Sequence, residues 1–301
     1  MISSRPRCRF LAAWLLVAAI LPLSAQAAPH DDIQKQIEEG RLLEALDAAA
    51  LLTVANPTDC RAWRLLGDAN RRLTRVAAAA DAYRAGLGAC PDDTDLLKTY
   101  GLMLEESEQY EEAAKVLSHY WSLDTKEAAV GSRLGAACYR AGLCAEGRTA
   151  FDALLSAYPE RSTDRLAYAQ LLSRTCHDFP AARVQFEKLL KERPTDPAVN
   201  CAWVYALAEA GQADEAARVA SAAMASAGGS AGCLYAAWGR ALESAADSLM
   251  LQGQVEAARA RYLEAIDPLS KGVADPVFGA YCGAILAQVK YKESPMEELK
   301  P

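Results

Sequence analysis

Along the chain, small and apolar positions recur with a period of thirty-four residues. From the glycine of AWRLLG the series runs Gly67, Gly101, Gly135, Ala169 and Val204. A second series passes through Ala45, Ala79, Ala113, Gly147, Ala182 and Ala216, and a third through Pro57, Pro91, Thr125, Pro159, Pro194 and Gly228. All steps are 34 residues except one of 35 in each series, which places a one-residue insertion near Asp178 to Ala181. A fixed period of this length marks a repeat architecture whose units bury their apolar faces against one another. After six units the register breaks at Ala227-Gly228-Gly229-Ser230, and the next small position, Ala258, comes 42 residues after Ala216. Beyond the break the pattern predicts a lengthened helix over about 232–252, a partner from Gln254 to Ile266, and a last helix from Pro276 to Lys290. The residues from 293 onward are expected to form a disordered tail.

The segment Cys60 to Asp93 carries Trp63, Leu66-Gly67, Ala79, Tyr83 and Pro91 at the spacing W-x₂-L-G…A-x₃-F…P, with Asn70 in place of a tyrosine. The next unit has Tyr100-Gly101, Ala113 and Leu117, and the one after it Leu134-Gly135, Gly147, Phe151 and Pro159. In these motifs, over about residues 31 to 268, the chain resembles the tetratricopeptide repeat (TPR) family. The resemblance implies an all-α fold, an α-α superhelix or solenoid of about seven helical hairpins plus a C-terminal capping helix. Each hairpin would be two antiparallel helices of about 13 residues, touching at the small positions and stopped by proline. Gly40, Gly142, Gly211 and Gly253 stand where such a hairpin turns.

Composition agrees with helices and adds a compartment. The hydrophobic fraction is 52% but the aromatic fraction only 7%, because alanine, the best helix former, supplies much of it. Arg5, Arg7 and Arg9 precede an uncharged run from Phe10 to Leu23, and Ala25-Gln26-Ala27 follows with small residues at the cleavage positions. This reads as a secretory signal over 1–27, cut after Ala27, with an apolar run short for a membrane span. The domain reading is therefore signal peptide 1–27, repeats 28–230, lengthened hairpin and cap 231–292, and tail 293–301. The expected product is a periplasmic protein without a membrane span. The whole chain carries a net charge of -7. Without the three arginines of the signal it falls to -10, which argues against nucleic acid as a partner.

Nine cysteines include Cys8, inside the signal. Eight remain, an even number suited to an oxidising compartment. Antiparallel packing puts Cys60 and Cys90 at one end of their hairpin, where they can bridge. Cys138 and Cys144 flank the turn at Gly142, and Cys176, at the corresponding turn of the next unit, competes with either. Cys201, Cys233 and Cys282 stay open between packing and pairing.

Chemistry is sparse. Three histidines in the chain make a multi-histidine metal enzyme unexpected. Cys176-His177-Asp178 joins nucleophile, base and acid types, but neighbours on a turn do not face one another. His119 is expected to pack beside Tyr120 and Trp121. No phosphate loop, nucleophile elbow or zinc-protease motif is present, so the chain reads as non-enzymatic, without cofactor or metal. In the resembled family the first helix of each hairpin faces a concave groove. Its slots here hold Arg61, Arg64, Asp68 and Arg71, then Lys98, then Tyr139, Arg140, Gln170, Arg174 and Tyr205. A band of arginines in an acidic chain suggests a groove for a peptide or chain segment with acidic groups.

The favoured function is a protein-interaction scaffold or adaptor in envelope assembly, secretion or cytochrome maturation. The alternatives are a permanent structural subunit of an envelope complex and a cysteine-based thiol-redox or metal-handling protein.

Overall fold

The computed structural model describes residues 28–123, 127–226 and 232–297. The expected signal over 1–27, the joint at 227–230 and the extreme C-terminus lie outside the described residues. The chain divides into two compact units, one ending at Pro91 and the other starting at Asp92. The first holds two hairpins, α1 (Ala28–Glu38) with α2 (Leu42–Ala55) and α3 (Cys60–Arg72) with α4 (Val76–Ala89). The second holds five. They are α5 (Thr94–Glu106) with α6 (Tyr110–Leu123), α7 (Ala128–Ala141) with α8 (Cys144–Ala157), and α9 (Ser162–Gln170) with α10 (Phe179–Glu192). Then come α11 (Pro197–Glu209) with α12 (Ala213–Ser226), α13 (Gly232–Leu251) with α14 (Val255–Gly272), and a closing helix α15 (Gly279–Glu297). Among the described residues no helix is long and apolar enough to cross a membrane.

In the α3/α4, α5/α6 and α7/α8 hairpins a glycine of the first helix receives a large side chain from the second. A Cβ at Gly67 would stand 2.3 Å from the Tyr83 ring, at Gly101 2.5 Å from Leu117, and at Gly135 2.5 Å from Phe151. Where the first-helix residue grows, the second shrinks. Val204 and Ala220 occupy the same two slots and both are fully buried. Tyrosine hydroxyls add hydrogen bonds: within hairpins Tyr83 donates to Asp68 and Tyr100 to Glu112, each at 2.7 Å, and Tyr262 donates to Asp247, while between hairpins Tyr168 donates to Asp152 at 2.7 Å. Burial and the facing carboxylate push the phenols of Tyr83 and Tyr168 well above their ordinary value.

Every hairpin turns through one residue in the left-handed region: Gly40, Thr74, Glu108, Gly142, His177, Gly211 and Gly253. These positions repeat the 34-residue step, the single step of 35 and, from Gly211 to Gly253, the last step of 42. Three of the seven are not glycine, which hides the series from a reading of glycines alone. The inserted residue is taken up earlier than expected, at Leu171–Thr175, where the end of α9 widens into a π turn. There the Cys176 N–H reaches back five residues to the Leu171 carbonyl. One extra residue in a helix widens a single turn more cheaply than it rotates every following side chain off its face.

The C-terminal elements run longer than the sequence suggests. α14 passes through Pro268 and ends at Gly272, because Leu269 is buried against Gly239 and holds the last turns in place. α15 continues to Glu297, over residues expected to be a tail. Lys292 bridges Glu243 at 2.9 Å and Asp247 at 2.7 Å on α13, and Arg259 on α14 binds Glu293 at 3.0 Å. The Glu243 carboxylate is only 2% exposed, and Arg240 also reaches it at 2.6 Å. Removing a cation from a buried carboxylate is costly, so these contacts fix the segment.

Two outcomes follow from this packing. Thr74→Gly and Glu108→Gly relieve a side chain in the left-handed region and should each stabilise the protein by about 0.5–1 kcal/mol. The readout is a higher urea midpoint at unchanged slope. Gly135→Ala should destabilise by about 1–3 kcal/mol through overpacking against Phe151. Phe151→Leu added to it should recover part of the loss, and the double-mutant cycle measures that coupling.

Candidate functional site

In the first unit the expected groove residues bind one another. Asp68 sits between two groups, accepting from the Tyr83 hydroxyl and, at 3.3 Å, from Arg64. Burial raises the Asp68 carboxyl above its ordinary value against the pull of these partners. Arg71 also reaches the Tyr83 hydroxyl. Arg61 pairs with Asp31 at an exposed position. His30 binds Asp59 at 2.7 Å, and Asp59 caps α3 by accepting from the Ala62 N–H.

In the second unit the set separates into places. Lys98 is held by Glu127 at 2.6 Å, and Arg140 lies over the Tyr110 ring at 5.9 Å. Tyr139, Gln170, Arg174 and Tyr205 converge. Arg174 lies in the π turn, stacks over the Tyr205 ring at 5.6 Å, is near the Tyr139 hydroxyl and stands 3.5 Å from Glu209. Gln170, Arg174 and Tyr205 line a cavity of about 500 Å³ with Cys201, Cys233 and the segment Asp275 to Phe278. A volume of this order is typical of ligand pockets. A second cavity of about 660 Å³ is polar, and its Arg183 and Arg261 are already paired with Glu215 and Asp214.

The cysteines resolve in part. Cys60 is bonded to Cys90, with Cα atoms 6.1 Å apart, across one end of the α3/α4 hairpin. Cys144 is bonded to Cys176, with Cα atoms 5.2 Å apart, so the local Cys138–Cys144 bridge does not form. Cys138 faces inward and is fully buried, where burial pushes its thiol up to about 11. The turn positions of successive hairpins face each other instead. Cys201, Cys233 and Cys282 are free thiols.

With Cys176 bonded, Cys176-His177-Asp178 holds no catalytic trio. His177 forms the turn, while Asp178 caps α10 and binds Arg148 at 2.7 Å. The Arg148 guanidinium holds the Asp178 carboxyl below its ordinary value. His119 does not pack inward. It is exposed and bound to Asp92 at 2.9 Å.

No protein-family model and no curated protein matches the sequence. Solved structures do. A tetratricopeptide repeat protein from Parabacteroides merdae aligns over 88% of this chain and 99% of its own at 15% identity and a TM-score of 0.48. PilF of Pseudomonas aeruginosa aligns over 66% and 90% at 18% identity and 0.43. YrrB, described as a TPR protein with an unusual peptide-binding site, aligns over 57% and 88% at 16% identity and 0.48.

The Cys144–Cys176 bond closes a loop with a sequence separation of 32 residues, and such a loop is worth about 3–4 kcal/mol in the chain-entropy model. Replacing both by serine should lower the unfolding free energy by about that amount. Chemical denaturation beside the wild type measures it. The 34-residue period, the seven hairpins among the described residues and the small-against-large contact within them give this chain the tetratricopeptide repeat fold.

Proposed function

We propose that the protein is a non-catalytic interaction module of the periplasm, a scaffold or adaptor that seats a peptide or chain segment at the Arg174–Tyr205 cavity. The observation that carries this reading is the convergence of Gln170, Arg174 and Tyr205 on one opening of about 500 Å³. Tyrosine and arginine are the side chains most enriched at binding hot spots. A π turn interrupts the end of the first helix of its hairpin, and it carries Arg174. A carboxylate on the incoming segment would compete with Glu209 for the guanidinium and gain bidentate geometry. The export signal expected over 1–27 supports the compartment, as do the two cystines, which persist in oxidising surroundings. Envelope assembly, secretion and cytochrome maturation are the settings this combination suits.

A second reading, a permanent subunit of an envelope complex, is favoured by apolar side chains left open near the C-terminus, with Val277 78% and Tyr291 80% exposed. Crosslinking pull-down from native envelope extract separates the two. Arg174→Glu should reduce retention of the bound protein at least about tenfold, as expected for a hot-spot residue, whereas Arg84→Glu, an exposed position on α4 beside Asp81, should leave it unchanged. Retention indifferent to Arg174→Glu would overturn the cavity as the binding site. Retention lost instead on Val277→Asp and Tyr291→Asp would favour the subunit reading.

A further inference from the structure

Cys201 and Cys233 come from different helices, α11 and α13, and line the same cavity. They are 32 residues apart in sequence, the separation of the bonded pair Cys144–Cys176. The two thiols interact across the cavity wall, and the Cys233 thiol also points to the Pro197 carbonyl at the start of α11, 4.0 Å away. The two differ in setting. Cys201 is buried at 8% exposure in mid-helix, whereas Cys233 is partly open in the first turn of the 20-residue helix α13. We propose that Cys201 and Cys233 form a dithiol–disulfide couple that exchanges with a low-molecular-weight disulfide entering the cavity, Cys233 being the attacking sulfur and Cys201 the resolving one.

The surroundings suit these roles. The Cys201 thiol and the backbone N–H groups of Cys233 and Leu234 stabilise a thiolate on Cys233 and lower its pKa, against burial and the nearby Asp275 carboxylate. Asp275 is itself occupied, accepting at 2.9 Å from the N–H groups of Val277 and Phe278. The neighbouring Cys233 sulfur and burial push the Cys201 thiol up and keep it protonated until exchange begins. Arg174, on the cavity wall, presents a guanidinium to carboxylates of a small disulfide such as that of glutathione. The cavity volume is in the small-molecule range.

The exchange balances. The Cys233 thiolate attacks one sulfur of the incoming disulfide, whose S–S bond breaks to release one thiolate and leave a mixed disulfide on Cys233. Cys201 passes its proton to that departing thiolate and attacks the Cys233 sulfur. The second thiolate leaves and takes a proton from water. The pair loses two electrons and two protons in forming its S–S bond, and the incoming disulfide is reduced to two thiols.

The inference does not rest on chain-segment binding, because it is read without a partner. The mature protein, with both cystines intact, is equilibrated with mixtures of reduced and oxidised glutathione, quenched in acid, alkylated and mapped by mass. Cys201 and Cys233 should convert together from dithiol to disulfide at ratios where Cys60–Cys90 and Cys144–Cys176 stay oxidised. In Cys201→Ser a glutathione adduct should accumulate on Cys233, and in Cys233→Ser the adduct on Cys201 should be at least about tenfold scarcer, because that thiol is buried and protonated. Three results would overturn the proposal: both thiols alkylated at every ratio, a pair as resistant to reduction as the other two, or Cys233 free of adduct in folded Cys201→Ser. The wild-type titration decides the matter if the variant does not fold.

Discussion

The close approach of two helices at one small residue per hairpin is the contact on which everything else depends. Gly67, Gly101 and Gly135 leave no room for a methyl group, since the space is already held by Tyr83, Leu117 and Phe151. A glycine inside a helix costs about 1 kcal/mol in propensity relative to alanine. It persists because the ring or branched side chain set against it buries far more apolar area than the propensity lost. The same approach brings the second helix's tyrosine within reach of a first-helix carboxylate in the α3/α4 hairpin, as in Tyr83 with Asp68. A single repeated contact therefore sets hairpin spacing and spends some of the chain's polar groups internally.

That internal use of charge bears on function. An acidic chain with a row of arginines along its first helices suggests a surface waiting for an acidic ligand. In the folded protein several of those cations face carboxylates of their own unit, Arg64 with Asp68, Lys98 with Glu127 and Arg133 with Glu105, as does Arg183 of the second helix α10 with Glu215. Exposed pairs of this kind contribute little stability, with a typical value of about 0–1 kcal/mol, so they restrict where new anions bind more than they hold the fold. Arg174 differs in degree. Its carboxylate partner stands at 3.5 Å, and its guanidinium plane lies over Tyr205. A cation held by an aromatic face and a distant carboxylate can change partner at lower cost than one in a tight ion pair.

The legible part of the sequence was what periodicity controls. The hairpin order, the break before α13 and its lengthened helix follow from where small residues recur, because a misplaced small residue would cost a clash in every unit. The turn series was half visible. Gly40, Gly142, Gly211 and Gly253 announce positive φ by residue type, but Thr74, Glu108 and His177 reach the same conformation because the flanking helices impose it. The insertion showed as a step of 35 assigned near Asp178 to Ala181, a few residues after the turn at Leu171–Thr175 that takes it up, since a π turn leaves no mark on composition. Pro268 argues locally for a helix end, and the burial of Leu269 overrides it. Among the cysteines, Cys60–Cys90 follows from hairpin geometry alone. Cys144–Cys176 depends on the packing of neighbouring hairpins and stayed undecided between two partners. The candidate residues were found one by one, but their meeting was not. Gln170, Arg174 and Tyr205 gather because the π turn, α11 and the residues before α15 meet there.

The π turn links these observations physically. The widened turn, a form found mostly as single turns inside α-helices, lies directly between α9 and the disulfide at Cys176. The bond from Cys144 ties the far end of the turn to the preceding hairpin, while Leu171 and Leu172 are buried at its near end. Fixed at both ends, the turn can project Ser173 and Arg174 outward without letting the helix unwind. The cavity then has one wall set by a covalent tie and another that carries two unbonded thiols, Cys201 and Cys233. Both walls use cysteines one repeat apart at the same separation. What separates them is their environment: Cys144 and Cys176 meet at hairpin turns, whereas Cys201 and Cys233 meet within a cavity, beside a helix N-terminus that favours the thiolate. The repeat thus supplies the spacing for a sulfur pair more than once, and the position within the hairpin decides whether that pair serves as a tie or remains open to exchange.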